Sequence, residues 1–209
     1  MNSPQFAGVI FDFGNVLCFP PTRDQFAQCA ALVDLDTDRF LAAFWRDRLG
    51  YDRGEDARIY WERLANRPLT DTQLNALLEC EVSLWNRLDT RVLAWADDLR
   101  AAGLKTAILS NLPKSLGKAL RRMPGLLDHF DHITFSYELR LVKPEPGIYH
   151  HALEGLNLAP RHALFLDDKL ENVEGALAIG LPAQIFTTWE QFVAEDLKTY
   201  GLPPPSNSK

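Results

Sequence analysis

The sequence predicts an α/β fold in which a parallel sheet lies between two layers of helices and carries a helical insert. Short apolar runs recur along the chain and end at polar residues, and helical patterns lie between them. Strands that alternate with helices favour βαβ units and a mostly parallel sheet covered on both faces. After the first apolar run, however, about seventy residues show helical spacing and no strand signal. We therefore expect a three-layer, Rossmann-like core with an inserted helical cap.

Five apolar runs are predicted to be the strands of this sheet. They lie at residues 8–13, 104–111, 132–136, 162–168 and 182–186. The first four end at acidic or hydroxyl side chains, which are Asp12, Ser110, Ser136 and the pair Asp167 and Asp168. In parallel sheets, ligands bind beyond the carboxyl ends of the strands, so these side chains are expected to gather at one edge.

The insert is predicted to be a four-helix bundle. Apolar residues recur at helical spacing in three stretches, 26–33, 40–45 and 60–64. Thr70 followed by Gln73 fits a capping box and predicts the start of a fourth helix. These patterns divide the chain into a core, residues 1–17 and 88–209, and a cap, residues 18–87.

The charge balance argues against several classes of partner. The chain has 209 residues, with 22 Lys and Arg against 28 Asp and Glu, so its formal net charge is −6. Nucleic acids and anionic membranes are bound by clustered basic side chains, and neither partner is therefore expected. No apolar stretch approaches the length of a membrane span, and the opening MNSPQF lacks the pattern of a secretory signal. These features favour a cytoplasmic location and leave the oligomeric state open.

The cysteines are predicted to be free thiols. Cys18, Cys29 and Cys80 are odd in number and irregularly spaced, and they form no paired-cysteine motif. Buried thiols in a reducing compartment are the simplest interpretation of that pattern.

Four short motifs carry the polar residues at the strand ends. In chain order they are FDFGNVL, ILSN, VKPEPGIY and FLDDKLENV. With these motifs in this order and a cap after the first, the chain resembles the haloacid dehalogenase superfamily of hydrolases over essentially its whole length. The first motif, Asp-Phe-Gly-Asn-Val, resembles that of a phosphatase-like subgroup. The resemblance implies an active site for phosphoryl transfer at the edge of the sheet.

Three carboxylates are predicted to meet at this edge, those of Asp12, Asp167 and Asp168. Two such charges about 4 Å apart repel by about 4 kcal/mol at an effective dielectric of about 20, so a cation must neutralise them. Oxygen ligands from a few protein groups suit magnesium, which keeps several waters and binds a substrate phosphate. Lys143 would add a fixed positive charge to the same pocket. The expected cofactor is therefore Mg²⁺.

The resemblance also implies a role for each residue of the motifs. Asp12 would attack phosphorus and form an aspartyl-phosphate that water then hydrolyses. Ser110 would hydrogen-bond the transferred phosphoryl group, and Lys143 would steady the charge on the nucleophile and the phosphate. The expected metal ligands are Asp12, the backbone carbonyl of Gly14, Asp167 and Asp168. The expected activity is magnesium-dependent hydrolysis of a small phosphate monoester, such as a sugar phosphate.

Gly14 departs from the pattern of the superfamily. Its phosphatases usually carry a second Asp at this position, two residues after the nucleophile, to protonate the leaving oxygen, and such acid–base help is worth about a hundred- to ten-thousand-fold in rate. Three accounts remain open: a phosphatase whose leaving group needs little protonation, a 2-haloacid dehalogenase that needs no metal, or a weakly active protein that binds a phosphorylated ligand or a protein partner. The doubled acid at Asp167 and Asp168 favours the phosphatase.

A segment of the cap is predicted to compensate for the missing acid. The residues from Tyr51 to Glu55 resemble the cap loop that descends over the site in this superfamily. Glu55 is the candidate acid, Arg53 is expected to contact the substrate, and Asn111 is expected at the substrate from the core side. The alternative is that Glu55 belongs to a plain helix start, where acidic residues favour the positive end of the helix.

Overall fold

One parallel sheet of five strands forms the centre of the protein. The structure is a computed structural model that describes residues 6–206, so most of the opening segment discussed above lies outside the described residues. The strands are β1 (Gly8–Phe11), β2 (Lys105–Ser110), β3 (His132–Phe135), β4 (Ala163–Asp167) and β5 (Ala183–Ile185). Their order across the sheet is β3-β2-β1-β4-β5, and every neighbouring pair is parallel. The predicted parallel sheet is confirmed.

The register of the sheet sets the position of the residue that follows β1. Phe11, the last residue of β1, pairs with Ile108 of β2 and with Leu166 of β4. Asp12 comes next, and its backbone N–H donates to the carbonyl of Leu166 at 2.9 Å. Every residue of β1 and of β4 is buried, as expected for strands covered on both faces. The end of β1 therefore lies between the ends of β2 and β4, which carry the second and fourth motifs.

The predicted insert after β1 contains five helices in the structure. They are α1 (Arg23–Ala31), α2 (Thr37–Arg46), α3 (Arg48–Asp52), α4 (Ala57–Ala65) and α5 (Asp71–Leu84). Four of these helices lie where the apolar spacing and the capping box predict them, and at α5 the N–H of Gln73 donates to Thr70 Oγ1 at 3.2 Å. The short α3 is an addition to the prediction. Two of its three buried residues are charged, so it has no apolar stripe to reveal it.

Seven further helices follow the insert in the described part of the chain. They are α6 (Thr90–Ala101), α7 (Lys114–Arg122), α8 (Ser136–Leu139), α9 (Pro146–Leu156), α10 (Leu170–Ala178), α11 (Trp189–Gln191) and α12 (Leu197–Thr199). Of these, α6, α8, α9 and α10 contact the sheet. A π-helical turn at Phe192–Asp196 joins the last two, and 3₁₀ turns lie at Leu126–His129 and Pro160–His162. Among the described helices, none combines the length and the apolar character needed to cross a membrane.

Apolar packing connects the cap to the core. Val9 and Phe11 of β1 face one hydrophobic cluster, whereas Ile10 faces another on the opposite side of the sheet. The first cluster continues into the cap, where it includes the aromatic rings of Phe44 and Trp61. The predicted apolar stripes of the insert are therefore packed interior, in one hydrophobic cluster with residues of β1.

The prediction of three free thiols is wrong for two of them. Cys29 of α1 and Cys80 of α5 are joined by a disulfide, with their Cα atoms 5.7 Å apart, and Cys18 alone is free and buried. The two partners are 51 residues apart in the chain, so no spacing motif marks them. They meet because α1 and α5 pack against each other in the cap.

Candidate active site

Asp12 is held rigidly one residue beyond β1. The residue is buried, with 7% of its surface exposed, and it lines a cavity at the carboxyl edge of the sheet. Its Oδ1 accepts the backbone N–H of Phe13 at 2.7 Å and lies 2.8 Å from Lys143 Nζ. A carboxylate fixed in this way presents its other oxygen in a constant position, as a nucleophile requires.

Lys143 is a buried cation between two carboxylates. Its Nζ lies 2.8 Å from Asp12 Oδ1 and 2.5 Å from Asp167 Oδ2, and it also donates to the carbonyl of Leu109 at 3.1 Å. Burial alone would lower the pKa of Lys143, but the charges of Asp12 and Asp167 raise it above its ordinary value. The ammonium therefore stays charged, as predicted for the lysine of the third motif.

Asn111 positions Lys143. Its Nδ2 donates to the carbonyl of Lys143 at 3.0 Å, and the backbone N–H of Lys143 donates to Asn111 Oδ1 at 2.8 Å. Asn111 also lines the cavity. Both ends of its carboxamide hold the lysine loop, so the structure gives Asn111 a positioning role, and its contact with substrate stays a prediction.

The three predicted carboxylates come together. Asp12, Asp167 and Asp168 each offer one oxygen, and these oxygens all lie within 4.8 Å of one another. Asn172 donates to both oxygens of Asp167, at 2.9 and 3.1 Å, and Asn15 donates to Asp168 Oδ2 at 2.7 Å. The Oδ1 atoms of these two asparagines are buried and have no hydrogen-bond partner among the described residues. Hard oxygen ligands with unmet acceptors beside them fit a hydrated magnesium ion.

Without a metal, burial disfavours the ionised form of two carboxyl groups in this cluster. Burial raises the pKa of Asp12 to about 6; Lys143 opposes the shift, and Asp167 and Asp168 add to it. Burial also raises the pKa of Asp168, against the hydrogen bond from Asn15 and with the help of Asp167. Both carboxyl groups would ionise more readily if a cation were bound beside them.

The raised pKa of Asp12 leads us to expect a particular pH dependence of stability in the metal-free protein. In the unfolded chain this carboxyl has a pKa near 3.8, so between about pH 4 and pH 6 the folded state binds more protons at Asp12 than the unfolded state does. Stability is therefore lost as the pH rises through this range. Asp12→Asn removes that dependence, so the free energy of unfolding of the variant relative to wild type should rise by about 2 kcal/mol from pH 4 to pH 7. Urea unfolding of both proteins in chelator checks this, and a difference independent of pH would contradict it.

The cavity beside Asp12 has a volume of about 260 Å³. Several residues predicted from the motifs line it with Asp12, namely Gly14, Ser110, Asn111, Lys143 and Asp168. Asp167 is fully buried behind them and does not line it. The motif residues therefore occupy one side of a single pocket, as their positions at the strand ends predict.

The cap forms much of the other side. It contributes Trp45, Arg48, Leu49, Asp52 and Trp85. The Nζ of Lys169, a core residue that also lines the cavity, lies 5.8 Å from the centre of the Trp45 ring. Sequence reasoning missed these cap residues, apart from including Asp52 in the segment expected over the site. Helical spacing marks Trp45 as a member of an apolar stripe, and nothing in the sequence distinguishes it from the packed rings around it.

The two cap residues predicted at the substrate lie elsewhere. Arg53 makes a two-pronged salt bridge to Glu145, at 2.7 and 2.9 Å, and Glu55 is paired with Arg63 at 2.5 Å. Neither Arg53 nor Glu55 lines the cavity. The chain turns at Gly54, so the residues after the end of α3 point their charges toward the lysine loop and toward α4. The carboxylate that the segment brings to the cavity is that of Asp52.

A buried charge cluster supports Asp52. Arg48 Nε donates to Asp52 Oδ1 at 2.8 Å, and Arg48 Nη1 donates to Glu81 Oε1 at 2.7 Å. Glu81 is fully buried and also accepts from the hydroxyls of Ser115, at 2.8 Å, and Tyr51, at 3.1 Å. Ser115 belongs to α7 of the core. The cluster therefore joins α3 and α5 of the cap to the core beside the cavity.

The sequence is similar to a family model and to curated proteins that include a phosphatase and a dehalogenase. The family model that describes a haloacid dehalogenase-like hydrolase matches residues 6–180. The sesquiterpene phosphatase astK of Aspergillus oryzae is 33% identical over 95 residues, which are 46% of this chain and 48% of that protein. A (S)-2-haloacid dehalogenase of Pseudomonas sp. is 32% identical over 82 residues, 39% of this chain and 36% of that protein. The match spans less than half the length of either curated relative.

Solved structures show the same fold. A haloacid dehalogenase family enzyme from Bacteroides thetaiotaomicron, in complex with magnesium and inorganic phosphate, superposes with a TM-score of 0.67 at 21% identity. The alignment covers 86% of this chain and 93% of that one. The family model covers most of the chain, and its match agrees with the four motifs and with the site that they form. This chain belongs to the haloacid dehalogenase-like hydrolase family.

Proposed function

We propose that this protein is a magnesium-dependent phosphatase that hydrolyses a small phosphate monoester through an aspartyl-phosphate. The charge of the site carries the proposal. The carboxylate oxygens of Asp12, Asp167 and Asp168 lie within 4.8 Å of one another, and Lys143 is in contact with Asp12 and Asp167. One lysine balances one of three carboxylates, whereas a bound divalent ion would balance the other two. Halide displacement needs no metal, so the additional acids favour the phosphatase.

Each residue has a defined part in the proposed reaction. Asp12 attacks phosphorus with the oxygen that Lys143 does not hold, and the acyl phosphate formed is then hydrolysed by water. Ser110, buried beside Asp12 in the cavity lining, hydrogen-bonds the transferred phosphoryl group. Magnesium, when bound by Asp12, Asp167, Asp168 and the carbonyl of Gly14, would offset the negative charge of that group.

The cavity suggests a small, partly polar substrate. Its cap side combines the rings of Trp45 and Trp85 with the charged side chains of Arg48 and Asp52. Aromatic faces beside hydrogen-bonding groups and a volume of about 260 Å³ suit a hydroxylated compound of sugar size. A sugar phosphate is therefore the substrate class that we propose. We further propose that residues 18–87 act as its cap and residues 1–17 and 88–209 as the catalytic core; a cytoplasmic location stays a prediction.

One assay separates this function from the two alternatives. The purified protein is incubated with a panel of sugar phosphates, with an aryl phosphate and with a 2-chloro acid, each with magnesium and with chelator. We expect phosphate release that requires magnesium. Chloride release that persists in chelator would instead identify a dehalogenase, and release of neither ion would favour the protein that only binds its ligand.

A further inference from the structure

Gly14, at the position of the family's usual acid, packs closely against a tryptophan. A Cβ atom built on Gly14 would come within 3.2 Å of Cζ3 of Trp85, which follows α5 and lines the same cavity. A side chain at position 14 would therefore crowd the indole ring, which would have to shift by a few tenths of an ångström. The proton that the leaving oxygen needs has to come from another group of the cavity.

Asp52 is the cap carboxylate that reaches this cavity. It ends α3, is buried with 6% of its surface exposed, and lines the cavity together with Asp12. Its backbone is fixed to the core, because Ser136 Oγ donates to the Asp52 carbonyl at 2.6 Å and itself accepts the N–H of Leu112 at 2.9 Å. Leu112 also lines the cavity. The carboxylate is therefore held over the site from both the cap and the core.

The charges around Asp52 allow its carboxyl group to be either protonated or ionised. Arg48 binds its Oδ1 but shares its charge with the fully buried Glu81, so one guanidinium serves two carboxylates. Burial raises the pKa of Asp52 to about 6; Arg48 and Lys169 oppose the shift, and Glu81 adds to it. A carboxyl group with a pKa close to the working pH can both donate and accept a proton.

We propose that Asp52 is the general acid and base of the phosphatase reaction, in place of the residue missing at position 14. As Asp12 bonds to phosphorus and the bond from phosphorus to the leaving oxygen breaks, the Asp52 carboxyl gives its proton to that oxygen and an alcohol leaves. Asp52, now a carboxylate, takes a proton from the water that attacks the aspartyl-phosphate. Hydrogen phosphate departs, the Asp12 carboxylate is restored and Asp52 is protonated again. This role rests on the proposed function.

Two substrates of nearly equal shape test the role. Phenolate is a basic leaving group, because phenol ionises near pH 10 as the tyrosine side chain does, whereas 4-nitrophenolate is far less basic and leaves without a proton. Asp52→Asn should lower kcat/KM for phenyl phosphate by about a hundred- to ten-thousand-fold and change it far less for 4-nitrophenyl phosphate. Glu55→Gln, which alters a carboxylate outside the cavity, is the matched control and should leave both rates unchanged.

The outcomes separate this role from the proposed function. If Asp52→Asn lowers kcat/KM equally for both substrates, or leaves kcat/KM for phenyl phosphate unchanged, Asp52 is not the acid, although the enzyme is a phosphatase. If the wild type releases phosphate from neither aryl phosphate and from no sugar phosphate of the panel, the proposed function fails and the role of Asp52 fails with it.

The wild-type pH profile gives a second test that does not depend on folding of the variant. The ratio of kcat/KM for phenyl phosphate to that for 4-nitrophenyl phosphate cancels the ionisation of Asp12, which both reactions share. We expect this ratio to fall as the pH rises and the acid loses its proton. A ratio that stays level from pH 5 to pH 8 would overturn the assignment.

Discussion

Asp12→Asn is expected to abolish phosphate release. An amide cannot serve as the nucleophile, and removing the nucleophile of a covalent mechanism costs roughly a million-fold in kcat. The variant should also lose the ability to form the stable complex in which beryllium fluoride mimics a phosphoryl group on the carboxylate. Steady-state assays in magnesium and trapping with beryllium fluoride measure these two losses independently.

A surface aspartate provides the control for this experiment. Asp38 of α2 is exposed and is paired with Arg23 at 2.9 Å, far from the motifs along the chain. Asp38→Asn should retain full turnover and trapping. If Asp12→Asn kept either measurable turnover or the beryllium fluoride complex, Asp12 would not be the nucleophile.

Lys143→Met should cost more stability than any other change to the site described here. The ammonium contacts Asp12 and Asp167 and is 2% exposed, so its removal leaves two buried carboxylates facing each other without a cation. Breaking a buried pair in this way costs about 3–5 kcal/mol. We expect a loss of that size in metal-free protein at pH 8, measured by chemical unfolding, together with loss of phosphatase activity.

The pH dependence identifies the cause of that loss. Lys143 lowers the pKa of Asp12, which is about 6 in the wild type, so without Lys143 this carboxyl has a higher pKa and is neutral in mild acid, where the unpaired charge disappears. The stability difference between Lys143→Met and wild type should therefore be smaller at pH 5 than at pH 8. Lys118→Met, at an exposed position of α7, should change stability little at either pH. A cost for Lys143→Met that is equal at both pH values would show that lost packing, not charge, is responsible.

The core side of the site could be predicted from the sequence because the chain places it by a simple rule. Each motif follows a short apolar run, and parallel strands bring the ends of those runs to one edge. Asp12, Ser110, Lys143 and Asp168 accordingly line one cavity. The register of β1 with β2 and β4 is enough to bring Asp12, Ser110 and Asp168 together. Lys143 reaches them from the loop between α8 and α9.

The cap side could not be predicted in the same way. Helical spacing locates the longer helices but does not say which side chain each helix turns toward the core. At the end of α3, the orientation of the helix brings Asp52 to the cavity and leaves Arg53 and Glu55 outside it. The contact between Gly14 and Trp85 and the bond between two cysteines depend likewise on packing between distant segments. Local patterns carry no information about such pairs.

The most direct test of the central claim is to observe the phosphoryl group on Asp12. Wild-type protein is mixed with substrate and magnesium, quenched in cold acid within a single turnover, digested, and analysed by mass spectrometry. We expect one phosphoryl group on the peptide that contains Asp12, and none in Asp12→Asn or in chelator. Turnover of the substrate with that peptide unmodified, or with the phosphoryl group on another residue, would contradict the account.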